Sequence, residues 1–153
     1  MICLFFAICI FSLDLFIKKQ VEAQNDAVFP IRLKGGVLLE KHHNYGFMLN
    51  RFDRHPKVVR IICCLTAIPL FLWFLRLLTK KSGNLERFGI ACLAGGAASN
   101  LYDRFSRGYV VDYLRMPALF RKRKKIRHII FNIADFFLLI GAVLTAIYSF
   151  FTK

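Results

Sequence analysis

Acidic side chains are scarce in this chain. Nine Asp and Glu stand against 23 Lys and Arg over 153 residues, a formal charge of +14. Polar surface is scarce as well: hydrophobic residues make up 57% and the mean hydropathy is +0.49, too apolar for an ordinary soluble domain of this length. On a soluble chain the basic excess would point to nucleic acid; on one this apolar, anionic lipid headgroups are the expected partner. A cysteine framework is also missing. Cys3, Cys9, Cys63, Cys64 and Cys92 are odd in number and all lie inside apolar runs, which excludes a disulfide scaffold and leaves packing residues. His42 and His43 have no Cys or carboxylate at a ligand spacing, so they read as surface histidines and no metal site is expected. Without internal repeats or low-complexity linkers, residues 1–153 read as one domain.

What is present is a set of long apolar runs, over 1–17, 58–78, 88–105 and 129–151. They predict a mainly α, polytopic membrane protein with four transmembrane helices. No basic n-region precedes the first run, which favours a retained helix over a cleaved signal peptide. That helix is short unless it continues through Lys18 and Lys19. Asp14 and Lys18 stand at i, i+4 and suit an ion pair on one face; boundary charges reaching toward the interface fit equally well. Pro69 in the second run predicts a kink, and Trp73 suits an interface. Residues 20–57 are polar, and Gly35-Gly36 between two short apolar runs predicts a hairpin. Asn44-Tyr45-Gly46, taken by spacing alone, is an ordinary turn.

Polar residues concentrate in Gly95–Tyr113, GGAASNLYDRFSRGYVVDY. On a helix, Asn100, Asp103, Arg104 and Arg107 share one face. Ala91, Gly95 and Ser99 recur at every fourth position and allow a second helix to approach closely. Charged groups within a membrane usually face the protein interior and serve a function. Asp112 follows a break at Gly108 and a β-like run, Tyr109-Val110-Val111; a second polar group, Asn132-Ile133-Ala134-Asp135, opens the last apolar run.

Together, GGAASNLYDRFSRGYVVDYL and FNIADFFLLIGAVL resemble the paired signature of lipoprotein signal peptidase (signal peptidase II), a family of intramembrane aspartic proteases. The resemblance implies Asp112 and Asp135 as the catalytic pair. It implies Asn100 and Asn132 as hydrogen-bond donors to the pair or the substrate backbone, and Arg104 as a substrate-binding or site-organising residue. Asp103 would hold Arg104, and Ala134 would leave room beside Asp135. Asn44 and Gly46 match the family's Asn-x-Gly turn, and Asp14 and Lys18 its first-helix acid and base. Tyr45 replaces a common Pro, and Leu15, Phe16 and Ile17 replace the family's usual intervening polar residues. A small extracytoplasmic β-sheet between helices 1 and 2 is implied, with a bacterial cytoplasmic-membrane location and a site toward the outer face. The implied substrate is a diacylglyceryl-modified prolipoprotein cleaved before its lipidated cysteine, by a monomer with no cofactor.

Chemically, two adjoining carboxylates share a proton, so one activates water while the other polarises a carbonyl. Two rival readings use the same residues: a proton-coupled carrier or channel subunit, and a membrane-anchored scaffold. The run Arg121–Lys125 reads as a headgroup-contacting loop. Orientation is contested within the sequence. Residues 18–60 and 104–127 carry nine basic residues each, against four over 76–87, which by charge alone places the richer loops in the cytoplasm. The family resemblance implies the opposite.

Overall fold

A computed structural model describes residues 1–46, 52–79, 82–119 and 128–152; the run Arg121–Lys125, along with Lys80, Lys81 and Lys153, lies outside the described residues. The helices are α1 (Ile2–Ala23), α2 (Pro56–Thr79), α3 (Asn84–Ser106) and α4 (Ile133–Phe151). The strands are β1 (Ile31–Arg32), β2 (Leu38–Asn44), β3 (Val110–Arg115) and β4 (Ile130–Phe131). At about 1.5 Å per residue each helix measures on the order of 30 Å, close to the depth of a bilayer's hydrocarbon core. By length and composition α2 and α4 are apolar enough to cross a membrane. α1 and α3 carry Asp14, Lys18, Asp103 and Arg104, and all four side chains are buried. Phe5 and Phe16 on α1, Leu65 and Leu72 on α2, and Leu139 and Phe150 on α4 point outward. Large apolar residues outside and charges inside invert the pattern of a soluble protein, as a lipid-facing surface requires.

The central element is α3, which packs against α1, α2 and α4. Small residues make that possible. A Cβ on Gly95 would lie 2.7 Å from the Ala7 carbonyl oxygen and 2.9 Å from the Ile10 Cβ, so the predicted small-residue seam does face α1. A second seam faces α4: Gly96 abuts the Ala134 carbonyl, and Gly89 abuts Gly141. Contacts advance in step along α1 and α3, from Ala7 and Gly95 through Asp14 and Ser99 to Lys18 and Asp103. The two helices are therefore parallel and end at the same face.

At that face lies a four-stranded antiparallel sheet of order β1-β2-β3-β4. The expected hairpin forms between β1 and β2, and Gly35 and Gly36 make its turn at φ +79° and +75°. Gly108, at φ +87°, breaks the chain between α3 and β3 in a conformation that side chains with a Cβ disfavour. Two expectations need correction. The sheet is not confined to the segment between α1 and α2, because β3 and β4 join it from either side of residues 116–129. The first helix does not stop near residue 17 but runs to Ala23, since Lys18 finds partners inside the protein.

The seams generate a direct expectation. Gly95→Ala should destabilise the protein by about 1–3 kcal/mol, because backbone of α1 stands where the methyl group would go. The outward-facing Ile8→Ala should change stability by no more than about 0.5 kcal/mol. Equilibrium unfolding in detergent micelles measures both.

Candidate active site

Asp112 sits on β3 and is 3% exposed. The register of β2 and β3 pairs Asn44 with Val110, which puts Asn44 diagonal to Asp112 on the same face. Its amide donates to Asp112 Oδ2 at 3.0 Å. The other carboxylate oxygen, Oδ1, accepts from Asn132 Nδ2 at 2.8 Å. Burial, and then the nearby Asp135 carboxylate, push the Asp112 carboxyl up to about 7.

Asp135 is held by the start of α4. Asn132 is the N-cap and Asp135 the third helical residue, and they form a reciprocal capping box. Asn132 Oδ1 accepts from the Asp135 N–H at 3.0 Å, and Asp135 Oδ2 accepts from the Asn132 N–H at 3.1 Å. Asp135 Oδ1 accepts from Asn100 Nδ2 at 3.0 Å. Asn132 thus joins both carboxylates: its amide binds Asp112 while its backbone holds Asp135. The same Asn132 amide also donates to Asn100 Oδ1 at 3.1 Å.

Behind this pair lies a buried ionic cluster centred on Lys18, whose side chain is wholly buried. Its ammonium is 2.7 Å from Asp14 Oδ2, 3.2 Å from Asp103 Oδ2, 3.1 Å from Ser99 Oγ and 2.8 Å from Asn100 Oδ1. Asp14 also accepts from Ser99 Oγ at 2.6 Å and from the Tyr113 hydroxyl at 2.8 Å. That hydroxyl in turn accepts from the Ile133 N–H at 3.1 Å, so Tyr113 ties α1 to the first turn of α4. Burial and the Asp14 charge push the Tyr113 phenol up, which keeps its proton available for donation.

The expected residues do come together, though not all in the expected way. Asn100, Asn132 and Asn44 bond the two aspartates. Asp14 and Lys18 pair internally rather than at an interface. Ala134 is fully buried where α4 meets Gly96. Asn44 and Gly46 make a turn in which the Gly46 N–H donates to Asn44 Oδ1 at 3.1 Å. Among the described residues, Asp103 and Arg104 do not pair with each other as expected. Asp103 instead binds Lys18, Arg107 and the Val111 N–H, and thereby fixes β3 to α3. Arg104 donates to the Gly46 carbonyl at 2.7 Å, holding the turn that carries Asn44. Adjacent helical residues point about 100° apart, so Asp103 and Arg104 serve different neighbours.

Two participants were not singled out from sequence. Ser99 counted only as a small seam residue, and Tyr113 only as the end of the motif. A hydroxyl one helical turn from a buried acid, and a phenol beside Asp112, are the available signals. His42 lies opposite Asp112 in the sheet register, while His43 Nε2 is 2.7 Å from Glu22 Oε1 at the end of α1. Among the described residues no group of three His, Cys, Asp or Glu converges as metal ligands would.

Removing Lys18 should leave Asp14 and Asp103 buried without their shared counter-charge. Lys18→Met is therefore expected to cost about 3–5 kcal/mol. The exposed neighbour Lys19→Met should cost no more than about 0.5 kcal/mol. Chemical denaturation in micelles distinguishes the two.

Known proteins resemble this chain over most of its length. The family model described as signal peptidase (SPase) II matches residues 6–151. The lipoprotein signal peptidase of Brucella ovis is 31% identical over 151 residues, covering 96% of this chain and 88% of that protein. That of Caldicellulosiruptor bescii is 31% identical over 116 residues, covering 75% of this chain and 69% of its own. In three dimensions, a solved bacterial membrane enzyme superposes with a TM-score of 0.79 at 22% identity, over 97% of this chain and 87% of that one. A second reaches 0.71 at 21%, over 99% and 94%. At such identities the structural likeness establishes the fold, and the family match extends over nearly the whole sequence: this chain belongs to the signal peptidase II family.

Proposed function

We propose that this chain carries out the reaction of its family as an intramembrane aspartic endopeptidase, with Asp112 and Asp135 as the catalytic pair. The family's activity, removal of the signal peptide from prolipoproteins, is the activity of this chain. Family membership disfavours the carrier and scaffold readings. The substrate is a diacylglyceryl-modified prolipoprotein, cleaved before the lipidated cysteine by a monomer. Four helices span the bacterial cytoplasmic membrane, and the sheet lies at the outer face. The observation that carries this reading is the bridge by Asn132, which links Asp112 and Asp135 across the junction of sheet and helix.

The two acids divide the work. Asp112 is assigned the proton, because the neighbouring Asp135 carboxylate opposes its charge. Asp135 is better placed to hold negative charge, beside a backbone N–H at the amino end of α4. Asp135 takes a proton from water as the oxygen attacks the scissile carbonyl carbon, and Asp112 gives its proton to the carbonyl oxygen. The tetrahedral diol collapses when Asp135 passes its proton to the leaving nitrogen. The C–N bond breaks, and Asp112 recovers a proton from a diol hydroxyl. Each carboxyl returns to its starting state.

Asp112→Asn and Asp135→Asn should each abolish nearly all turnover while leaving insertion intact, and the double variant should be little worse than either single one. Asp103→Asn should retain partial activity with reduced stability, since it fixes β3 and Lys18 and does not touch the pair. The pH–rate profile should be bell-shaped, its limbs reporting macroscopic constants of the pair, with the alkaline limb falling as pH rises through about 7. Cleavage of a lipidated precursor by purified, folded variants measures all of this. Substantial kcat in either single variant of the pair would refute the assignment.

The orientation is testable separately. Cysteines introduced at Ser82 and Lys124, after removal of the native ones, should label differently with an impermeant reagent on intact cells. Lys124 should react and Ser82 should not; the reverse pattern would place the sheet inside. In this orientation the run Arg121–Lys125 meets outer-leaflet headgroups.

A further inference from the structure

A groove of about 310 Å³ opens on the outer flank of the α1–α3 pair, away from Asp112 and Asp135. Its walls are Phe11, Leu15, Phe16 and Tyr102, and Lys19 and Arg107 stand at its upper rim. Phe11 and Tyr102 meet edge to face at 6.1 Å, which gives the lower end a firm wall. From Phe11 to Lys19 the groove follows about 12 Å of helix, most of the ~15 Å depth of one leaflet's hydrocarbon.

The side chains that line the rim are cationic. Asp14, Lys18, Asp103 and Arg107 form a closed set of two acids and two bases. Glu22, one turn beyond Lys19, is engaged by His43. Lys19 is exposed and has no hydrogen bond or ion pair among the described residues. The groove's lining thus holds two cations, Lys19 and Arg107, and no acid, above an apolar trough.

We propose that this groove binds an anionic phospholipid of the membrane, with its phosphodiester at Lys19 and Arg107 and one acyl chain along Phe16, Leu15 and Phe11. A phosphodiester carries one negative charge and complements a rim that presents Lys19 and Arg107 and no acid. A zwitterionic headgroup adds a cation that Lys19 would repel. The diacylglyceryl group of a prolipoprotein lacks a phosphate, which makes bulk phospholipid the better complement.

The test is read without any cleavage, so its outcome is separate from that of the protease assignment. Full-length protein is equilibrated in nanodiscs with equal phosphatidylglycerol and phosphatidylcholine, and the lipid retained on extraction is identified by native mass spectrometry. The wild type should retain phosphatidylglycerol over phosphatidylcholine by roughly five-fold. Lys19→Gln should bring that ratio close to one, and Lys34→Gln, on the exposed β1–β2 turn, should leave it unchanged. Leu15→Trp, which fills the trough and keeps both cations, should reduce the total lipid retained. Equal retention of the two lipids by the wild type, or a Lys19→Gln ratio equal to that of the wild type, would overturn the proposal. Displacement of the retained lipid by one equivalent of diacylglyceryl-modified precursor would assign the groove to substrate instead and would also overturn it.

Discussion

The rest of this structure depends on one buried ammonium. Lys18 lies within hydrogen-bond or ion-pair distance of four acceptors, two of them carboxylates, in a site closed to solvent. A lone charge in such a place costs several kcal/mol, and attraction offsets that cost only when every partner is present. Asp14 comes from the same helix, while Asp103, Ser99 and Asn100 come from α3. The cluster therefore specifies which helices must be neighbours, and at what height. It is better understood as a device of register than as a source of net stability.

The register reaches the two aspartates through Asn100. Lys18 donates to the Asn100 oxygen, which sets the amide so that its nitrogen faces Asp135. An asparagine free to turn over would present either end; the ammonium selects one. Asp103 works on the other side of the cluster, where it binds the Val111 N–H and so fixes the strand that presents Asp112. Tyr113 closes the ring, with one oxygen shared between Asp14 and the start of α4. The two acids are thus oriented by a network of buried protein groups behind them. Their own partners are amides, which can donate to a carboxylate without adding a charge.

A membrane setting explains why this is built from so few residues. Helices in lipid gain little from burying apolar surface against one another, so close packing and polar contacts must hold them. Gly95 and Gly96 bring α1 and α4 against opposite sides of α3, and the polar cluster sits just beyond those crossings. Small residues supply the approach, and charges supply the alignment.

Much of this was legible in the linear chain. The convergence of Asn100, Asp112, Asn132 and Asp135 was implied by the family resemblance, while the last three helices, the Gly35-Gly36 hairpin and the seam at Gly95 and Ser99 follow from local period and glycine chemistry. These are short-range properties, and a capping box such as Asn132–Asp135 is complete within four residues. The partners of Asp103 and Arg104 were not legible, because two adjacent side chains give no sign of which distant element each will meet. Nor did the sequence show that β3 and β4 extend the hairpin, since strand pairing joins residues nearly 70 positions apart, as Asn44 and Asp112 show. The extension of α1 through Lys18 and Lys19 was raised by the shortness of the first run but not decided by it. Hydropathy counts each lysine as a cost against continuing in lipid, and only the tertiary structure supplies the carboxylates that remove it for Lys18 and leave Lys19 at the surface.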